Sequence, residues 1–595
     1  MHLRYIFVFL FYFIGGSALI SQPVFTETIT AEDVKAHISY LASDELAGRY
    51  PGTPGSYAAA VYIREQFIST GLTLLGDDGL QIFDAVVSVK EGANSFQSGD
   101  ITGTAGEDFG PFPFSASTTL EAGVVFAGYG FDFQHDSLSW NDYENVDVAG
   151  NWVMLFRGDP EMDQQDSYFS AYGEDRDKVI TARDKGAAGV LFVSGSRFDE
   201  QDKLVSVYFD KSRSDAGIPV IHLKRSLADQ LLMADQITID GMESLLASTY
   251  RPASQILSAR VKARTEIIHE VVPGRNVIGM IEGNDPVLRE SYIIIGAHYD
   301  HLGMGGQGSG SRFMDSTAIH YGADDNASGV AGVLELAAML ASDRSSLKRS
   351  IVFIAFDAEE LGLLGSKYFV NNPLVDLNTV MAMINLDMIG RLKEDDPAIM
   401  VGGSGTSKES QEILESLETG GVSMTYSPEG YGPSDHASFY GEDITVFFFT
   451  TGAHEDYHTP NDRWELINFE GTAAVIEIAA DLIFRLANRE EYLSFRQAGP
   501  KQQGSRGGYR LKATLGIMPD FTATTKGGLG VGGVRADGPA YKGGMLKGDI
   551  ITAIDGKPVN DIYDYMNRLQ RLNPGQVISV DVMRGDEKLV LIIQL

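Results

Sequence analysis

Ser291-Tyr-Ile-Ile-Ile-Gly-Ala-His298-Tyr-Asp300, followed further along by Gly322-Ala-Asp324-Asp325-Asn326-Ala-Ser-Gly329, is the stretch whose reading decides the fold. The run Tyr292–Ala297 is short, apolar and rich in isoleucine, and glycine-rich sequence follows it, which predicts a buried parallel strand. His298 and Asp300 then fall at its C-terminal end, the edge where open α/β sheets gather their binding loops. The second segment leads into Val330-Ala-Gly-Val-Leu-Glu-Leu-Ala-Ala-Met-Leu340, a helical pattern. Carboxylates therefore arrive at a helix start facing the same crevice as the imidazole, in outline a site for a borderline metal. Taken alone, Asp-Asp-Asn before a helix also reads as an N-cap.

Repetition downstream favours the metal reading. Arg349-Ser-Ile-Val-Phe-Ile-Ala-Phe-Asp357 reads as a second buried strand and ends in Ala358-Glu359-Glu360. Adjacent glutamates at a buried strand end repel each other and need a cation or solvent. Thr379-Val-Met-Ala-Met-Ile-Asn-Leu386 is a third strand, ending at Asp387. Ile444-Thr-Val-Phe-Phe-Phe-Thr450 is a fourth, followed by the loop that carries Tyr457 and His458. Each of the four apolar strands has an Asp, Glu or His just past its C-terminal end, a regularity that chance capping does not produce.

His298-x-Asp300, Asp325-Asn326, Glu359-Glu360, Asn385-Leu-Asp387, Ser434-Asp-His436 and Tyr457-His458-Thr-Pro resemble, in that order, the M28 family of zinc peptidases. Asp44-Glu-Leu-Ala-Gly-Arg49-Tyr-Pro-Gly-Thr-Pro-Gly55 resembles the family's N-terminal segment. The resemblance implies an α/β zinc-exopeptidase fold, with a mixed, largely parallel sheet flanked by helices, and two Zn2+ per chain. His298 and Asp387 would hold one zinc, Glu360 and His458 the other, and Asp325 would bridge them. Glu359 cannot easily reach the same metal as its neighbour and is free to act as general base. Asp300 points to the same face as His298 and can orient its imidazole. Tyr457 could donate to the developing oxyanion. His436 and Arg391 are candidate substrate contacts, while His301 and Asp324 flank the assigned ligands and receive no metal.

At 595 residues the chain is too long for one core, so about three domains are expected. Acids outnumber bases 81 to 47, a formal charge of −34, which repels nucleic acid and anionic membranes. A basic start at Arg4, the apolar run Ile6–Ile20 and small residues after it describe a signal peptide over residues 1–21, cleaved near Ala18 to Ser21. The run is short for a membrane span, which needs roughly 20 residues. No later stretch suggests a stable membrane anchor, and the chain has no cysteine to carry a lipid or a disulfide. The expected location is periplasmic or extracellular.

The peptidase domain is expected over residues 22–114 and 256–495. Between them, residues 115–255 carry glycine-rich strand patterns, Ala122-Gly-Val-Val-Phe-Ala-Gly-Tyr-Gly130 and Lys185-Gly-Ala-Ala-Gly-Val-Leu-Phe-Val193 among them, that resemble an inserted, β-rich PA domain. Residues 496–508 read as a flexible linker. Residues 509–595 resemble a PDZ domain, whose helix would be Ile562–Gln570 and whose Leu515-Gly516-Ile517 loop would take the terminal carboxylate of a peptide ligand. The reading is an exported di-zinc exopeptidase acting on peptides, an aminopeptidase by resemblance. A carboxypeptidase or a glutaminyl cyclase on the same fold, or a dead receptor-like binding protein, are the alternatives.

Overall fold

The computed structural model describes residues 27–595 apart from 136–137, 163, 165–166, 170–171, 210, 212–213, 314–316, 500–512, 521–526 and 535–537. The expected signal peptide and most of the expected linker lie outside the described residues. Residues 496–499, the start of that linker, are tied to the peptidase domain: Tyr440 donates its hydroxyl to the Ala498 carbonyl at 2.8 Å. No helix among the described residues is long and apolar enough to cross a membrane.

The expected strands form the middle of a nine-stranded mixed sheet. Tyr292–His298 lies parallel to Ser350–Phe356 on one side and to Val380–Leu386 on the other, and Val380–Leu386 is parallel to Val446–Thr450. Ile267–Ile281 and Ala398–Gly402 pair antiparallel further out. Nearly every residue of the four central strands is buried, which is why they read as unbroken apolar runs and not as alternating ones. Each fully buried isoleucine among them contributes about 2 kcal/mol. Helices Ala31–Leu41, Pro54–Ser69, Gly329–Ser342 and Phe469–Asn488 cover one face through a single apolar core. All four parallel strands point their C-terminal ends at one edge, and the loops leaving that edge carry the candidate ligands.

The inserted unit has its own eight-stranded sheet and core. It takes in the strands Ser95–Ser98, Ile101–Gly103 and Phe109–Pro111, and at its far end Ser254–Thr265, so it is wider than the 115–255 span expected. The early strands were hard to see because they are only three or four residues long; Ser95-Phe-Gln-Ser98 buries only Phe96. The two chain passages between the domains run side by side as a ribbon, Leu80–Glu91 against Ile267–Ile281.

The C-terminal unit is a six-stranded antiparallel sheet with the helix Ile562–Gln570. That helix lies against the insert's helix Asp175–Asp184 through charged side chains. Arg568 grips Asp184 with two bonds of 2.7 and 2.9 Å, Asn567 donates to Asp177 at 2.8 Å, and Arg571 donates to Thr181 at 3.0 Å. Arg183 pairs with Asp564, and Arg176 pairs with Asp561 at 3.2 Å while lying 3.5 Å over the Tyr563 ring.

Candidate metal centre

The five expected ligands converge at the sheet edge although they come from five separate segments. Asp325 sits between two groups and turns one oxygen to each. Its Oδ1 is 3.3 Å from His298 Nε2, which is itself 3.6 Å from Asp387 Oδ2. Its Oδ2 is 3.1 Å from His458 Nε2, which is 3.2 Å from Glu360 Oε1. Zinc binds nitrogen and oxygen at 2.0–2.2 Å in tetrahedral array, so two donors on one ion stand about 3.3 Å apart. The observed spacings match that separation, and all five residues are buried or nearly so.

The local backbone aims these groups. Ala358 and His458 adopt φ of +57° and +56°, a left-handed conformation that costs energy for residues with a side chain and turns the chain sharply beside Glu359 and Glu360 and at the candidate ligand His458. His298 Nδ1 lies 3.2 Å from the Asp300 carbonyl and His458 Nδ1 lies 3.0 Å from the Gly310 carbonyl. Each ring thereby donates from Nδ1 and presents the Nε2 lone pair to the cluster. The carboxylate of Asp300 serves a different purpose from the expected one of orienting His298. It accepts the main-chain N–H of Glu359 at 2.9 Å and of Glu360 at 3.2 Å, and so fixes the paired glutamates. Its Oδ1 is 3.7 Å from His298 Nδ1, too far for a good hydrogen bond.

Electrostatics describe a place that stabilises positive charge. Burial works against protonation of His458, yet Glu360 and Asp325 outweigh it and push its pKa up to about 11. Burial likewise opposes protonation of His298, and Glu359 and Asp387 outweigh it and raise it well above the usual imidazole range. Glu360 is held down to about 2: burial and Asp325 raise it, but His458 and His301 prevail. A divalent cation supplies the positive charge these carboxylates favour more fully than imidazolium does. Glu360 Oε1 and Asp387 Oδ1 are buried without a hydrogen-bond partner among the described residues, so the donor set fits a metal.

Glu359 stands 3.9 Å from His298 Nε2, with its side chain 12% exposed, and is not part of either trio. Burial raises its pKa well above the carboxylate range, and Glu360, Asp435 and Asp387 add to this against His298. Tyr457 stacks on the His458 ring at 3.8 Å, and its pKa is raised by burial and by the carboxylates Asp325, Glu360, Glu359 and Asp387, which it faces. Arg391 pairs with Asp456 at 3.0 Å and stands 3.6 Å from Asp462, so its charge is taken up inside the protein and not offered to a substrate. His436 is buried, stacked on Phe448 at 4.3 Å, with burial lowering its pKa to about 3; this is a packing position, not an exposed contact. Leu515 and Ile517 are buried in the C-terminal core, and Gly516 between them has φ +72°, as a tight loop before the edge strand Ile517–Asp520 requires.

The supporting roles of Asp462 and Arg49 escaped the reading of the sequence. Asp462 accepts the main-chain N–H of Asp324 at 2.9 Å and of Asp325 at 3.1 Å, which fixes the residue expected to bridge. Asp324 itself turns away from the cluster, accepting from Gly390 at 2.6 Å and facing His454 at 3.2 Å. Arg49 is wholly buried and donates to the carbonyls of Leu41, Tyr299, Tyr321 and Gly322, drawing the N-terminal arm onto the loops around the ligands. Gly48 beside it has no room for a side chain, since a Cβ would stand 2.5 Å from the His320 carbonyl. Arg49 was visible as part of a motif, but its task was not; nothing local marked Asp462.

Residues 276–483 match Peptidase family M28, residues 120–231 match the PA domain and residues 513–595 match the PDZ domain. Aminopeptidase YwaD of Bacillus subtilis is 25% identical over 358 residues, 58% of this chain and 64% of the relative. Leupeptin-inactivating enzyme 1 of Streptomyces exfoliatus is 34% identical over 190 residues, 30% of this chain and 36% of the relative. The chain thus spans less than two thirds of the length of either. Among solved structures, an aminopeptidase from Aneurinibacillus sp. strain AM-1 is 21% identical with a TM-score of 0.48, covering 79% of this chain and 96% of that one. Residues 276–483 are a domain of peptidase family M28, in a chain that also carries a PA domain and a PDZ domain.

Proposed function

We propose that this protein is an exported di-zinc aminopeptidase that removes N-terminal residues from peptides. The observation that carries the reading is the division of Asp325 between two donor groups, with His298 and Asp387 on one oxygen and His458 and Glu360 on the other. Two zinc ions held by these residues would activate a water for attack and polarise the scissile carbonyl. Glu359 receives the proton of the attacking water and hands it to the leaving amine as the carbon–nitrogen bond breaks. Asp300 keeps Glu359 in place through its main-chain N–H. Tyr457 donates its hydroxyl toward the carbonyl oxygen as negative charge gathers there. The excess of carboxylates at the centre favours the ammonium of a free N-terminus over a C-terminal carboxylate. Export is supported by the apolar run at Ile6–Ile20. The PDZ domain would take the carboxylate of a C-terminal peptide at Leu515-Gly516-Ile517, beside an edge strand whose described pairing is on one side only.

Purified protein is incubated with aminoacyl-p-nitroanilides and with their N-acetylated forms, before and after chelation. The expected result is turnover of the free-amine substrates alone, lost on chelation and restored by zinc. No turnover of any substrate with two zincs bound, or equal cleavage of the acetylated forms, overturns the aminopeptidase reading.

A further inference from the structure

His301 is wholly buried, and neither of its ring nitrogens has a hydrogen-bond partner among the described residues. Its Nδ1 is 3.0 Å from Glu360 Oε1 and 3.9 Å from Asp325 Oδ2. The 3.0 Å approach does not have hydrogen-bond geometry, and both atoms border one shared point. That point is the one already addressed by His458 Nε2, which is 3.1 Å from Asp325 Oδ2 and 3.2 Å from Glu360 Oε1. Four donor atoms therefore surround it, and His301, Asp325 and Glu360 bring ligand atoms within 4.8 Å of one another.

The surroundings hold the ring in this pose. A Cβ at Gly322 would stand 2.6 Å from the His301 ring, so the imidazole fills the space that this glycine leaves, and Gly322 itself has φ +58°. On the chain side, the Arg49 carbonyl accepts the His301 main-chain N–H at 3.4 Å, and the Arg49 guanidinium grips the Tyr299 carbonyl at 2.6 Å. The His301 and His458 rings meet edge to face, 5.8 Å apart, as two imidazoles do when both reach one ion from different sides.

We infer that His301 is a direct ligand of the ion held by Glu360 and His458, which makes the two metal positions unequal. This rests on the di-zinc reading above. One position has four protein donors, His301, His458, Glu360 and Asp325; the other has three, His298, Asp387 and Asp325. The four-donor ion is retained and the three-donor ion exchanges. The asymmetry suits a centre in which one ion fixes the frame while the other adjusts its coordination during turnover.

The test is zinc retention by the full chain across a chelator series, read by metal analysis, for the unmodified protein, His301→Ala and His301→Gln. The unmodified chain is expected to pass through a plateau of one zinc, whereas both variants release their ions together, the tighter affinity falling at least about 100-fold. Circular dichroism and melting of the zinc-free chains separate ligand loss from misfolding; should His301→Ala fail to fold, His301→Gln decides. A cobalt-loaded chain gives an independent reading, since loss of a nitrogen donor changes the visible absorption of the retained ion. Variants that release zinc as the unmodified chain does, with unchanged cobalt spectra, overturn the inference and leave the di-zinc reading standing. An unmodified chain that binds no zinc overturns the di-zinc reading itself.

Discussion

Two parts of this molecule bury charge, and they do so in opposite ways. Where the PDZ helix meets the PA helix, four arginines, Arg176, Arg183, Arg568 and Arg571, face four aspartates, Asp177, Asp184, Asp561 and Asp564, and hydrogen bonds join the groups in pairs or through Asn567 and Thr181. At the sheet edge, Asp325, Glu359, Glu360 and Asp387 crowd three imidazoles, and among the described residues no arginine or lysine forms an ion pair with them. The first set is complete in itself. The second is in balance only when a cation joins it, and that is the difference between a charge cluster that fastens and one that binds.

The sharpest way to separate chemistry from charge balance is Glu359→Gln. Turnover should fall about 1,000-fold, or about 4 kcal/mol, while metal analysis still finds both zincs. Loss of zinc in this variant would make Glu359 a ligand. Next is Arg568→Ala, which leaves Asp184 buried beside the PA helix without its partner. Denaturation should show a loss of about 3 kcal/mol in the docked unit with zinc content unchanged, and a double-mutant cycle with Asp184→Asn should recover part of it. Asp462→Asn acts on the other region at one remove, by loosening the grip on the Asp325 main chain. Chelator competition should register a zinc affinity about 10-fold to 100-fold weaker. Smallest is Lys547→Ala, which breaks an exposed pair with Glu442. Its effect on melting should stay within about 0.5 kcal/mol.

How far the sequence could be read follows the same division. The four parallel strands were legible because burial on both faces leaves unbroken apolar runs, and the convergence of the five candidate ligands because a parallel sheet sets its chemistry at one end of those runs. His301 stood in plain view next to Asp300, but its aim depends on the missing side chain of Gly322, which no local pattern conveys. Asp300 was matched to the right neighbourhood, but the N–H donors that its carboxylate accepts lie on a strand end 59 and 60 residues away. The PA and PDZ contact was out of reach: Asp177 and Asn567 are 390 residues apart, and each alone reads as an ordinary surface residue.

Arg49 has a consequence for how the molecule is made. Its acceptors at Tyr299, Tyr321 and Gly322 lie 250 to 273 residues further along. A ribosome adding about 5–20 residues each second needs roughly 13 to 55 s to cover that distance, and it makes the whole PA domain in the interval. Through that time the guanidinium has only the Leu41 carbonyl of its four acceptors within the chain already made. The first arm of the protein is therefore a latch that waits, and it shuts only after Gly322 has emerged.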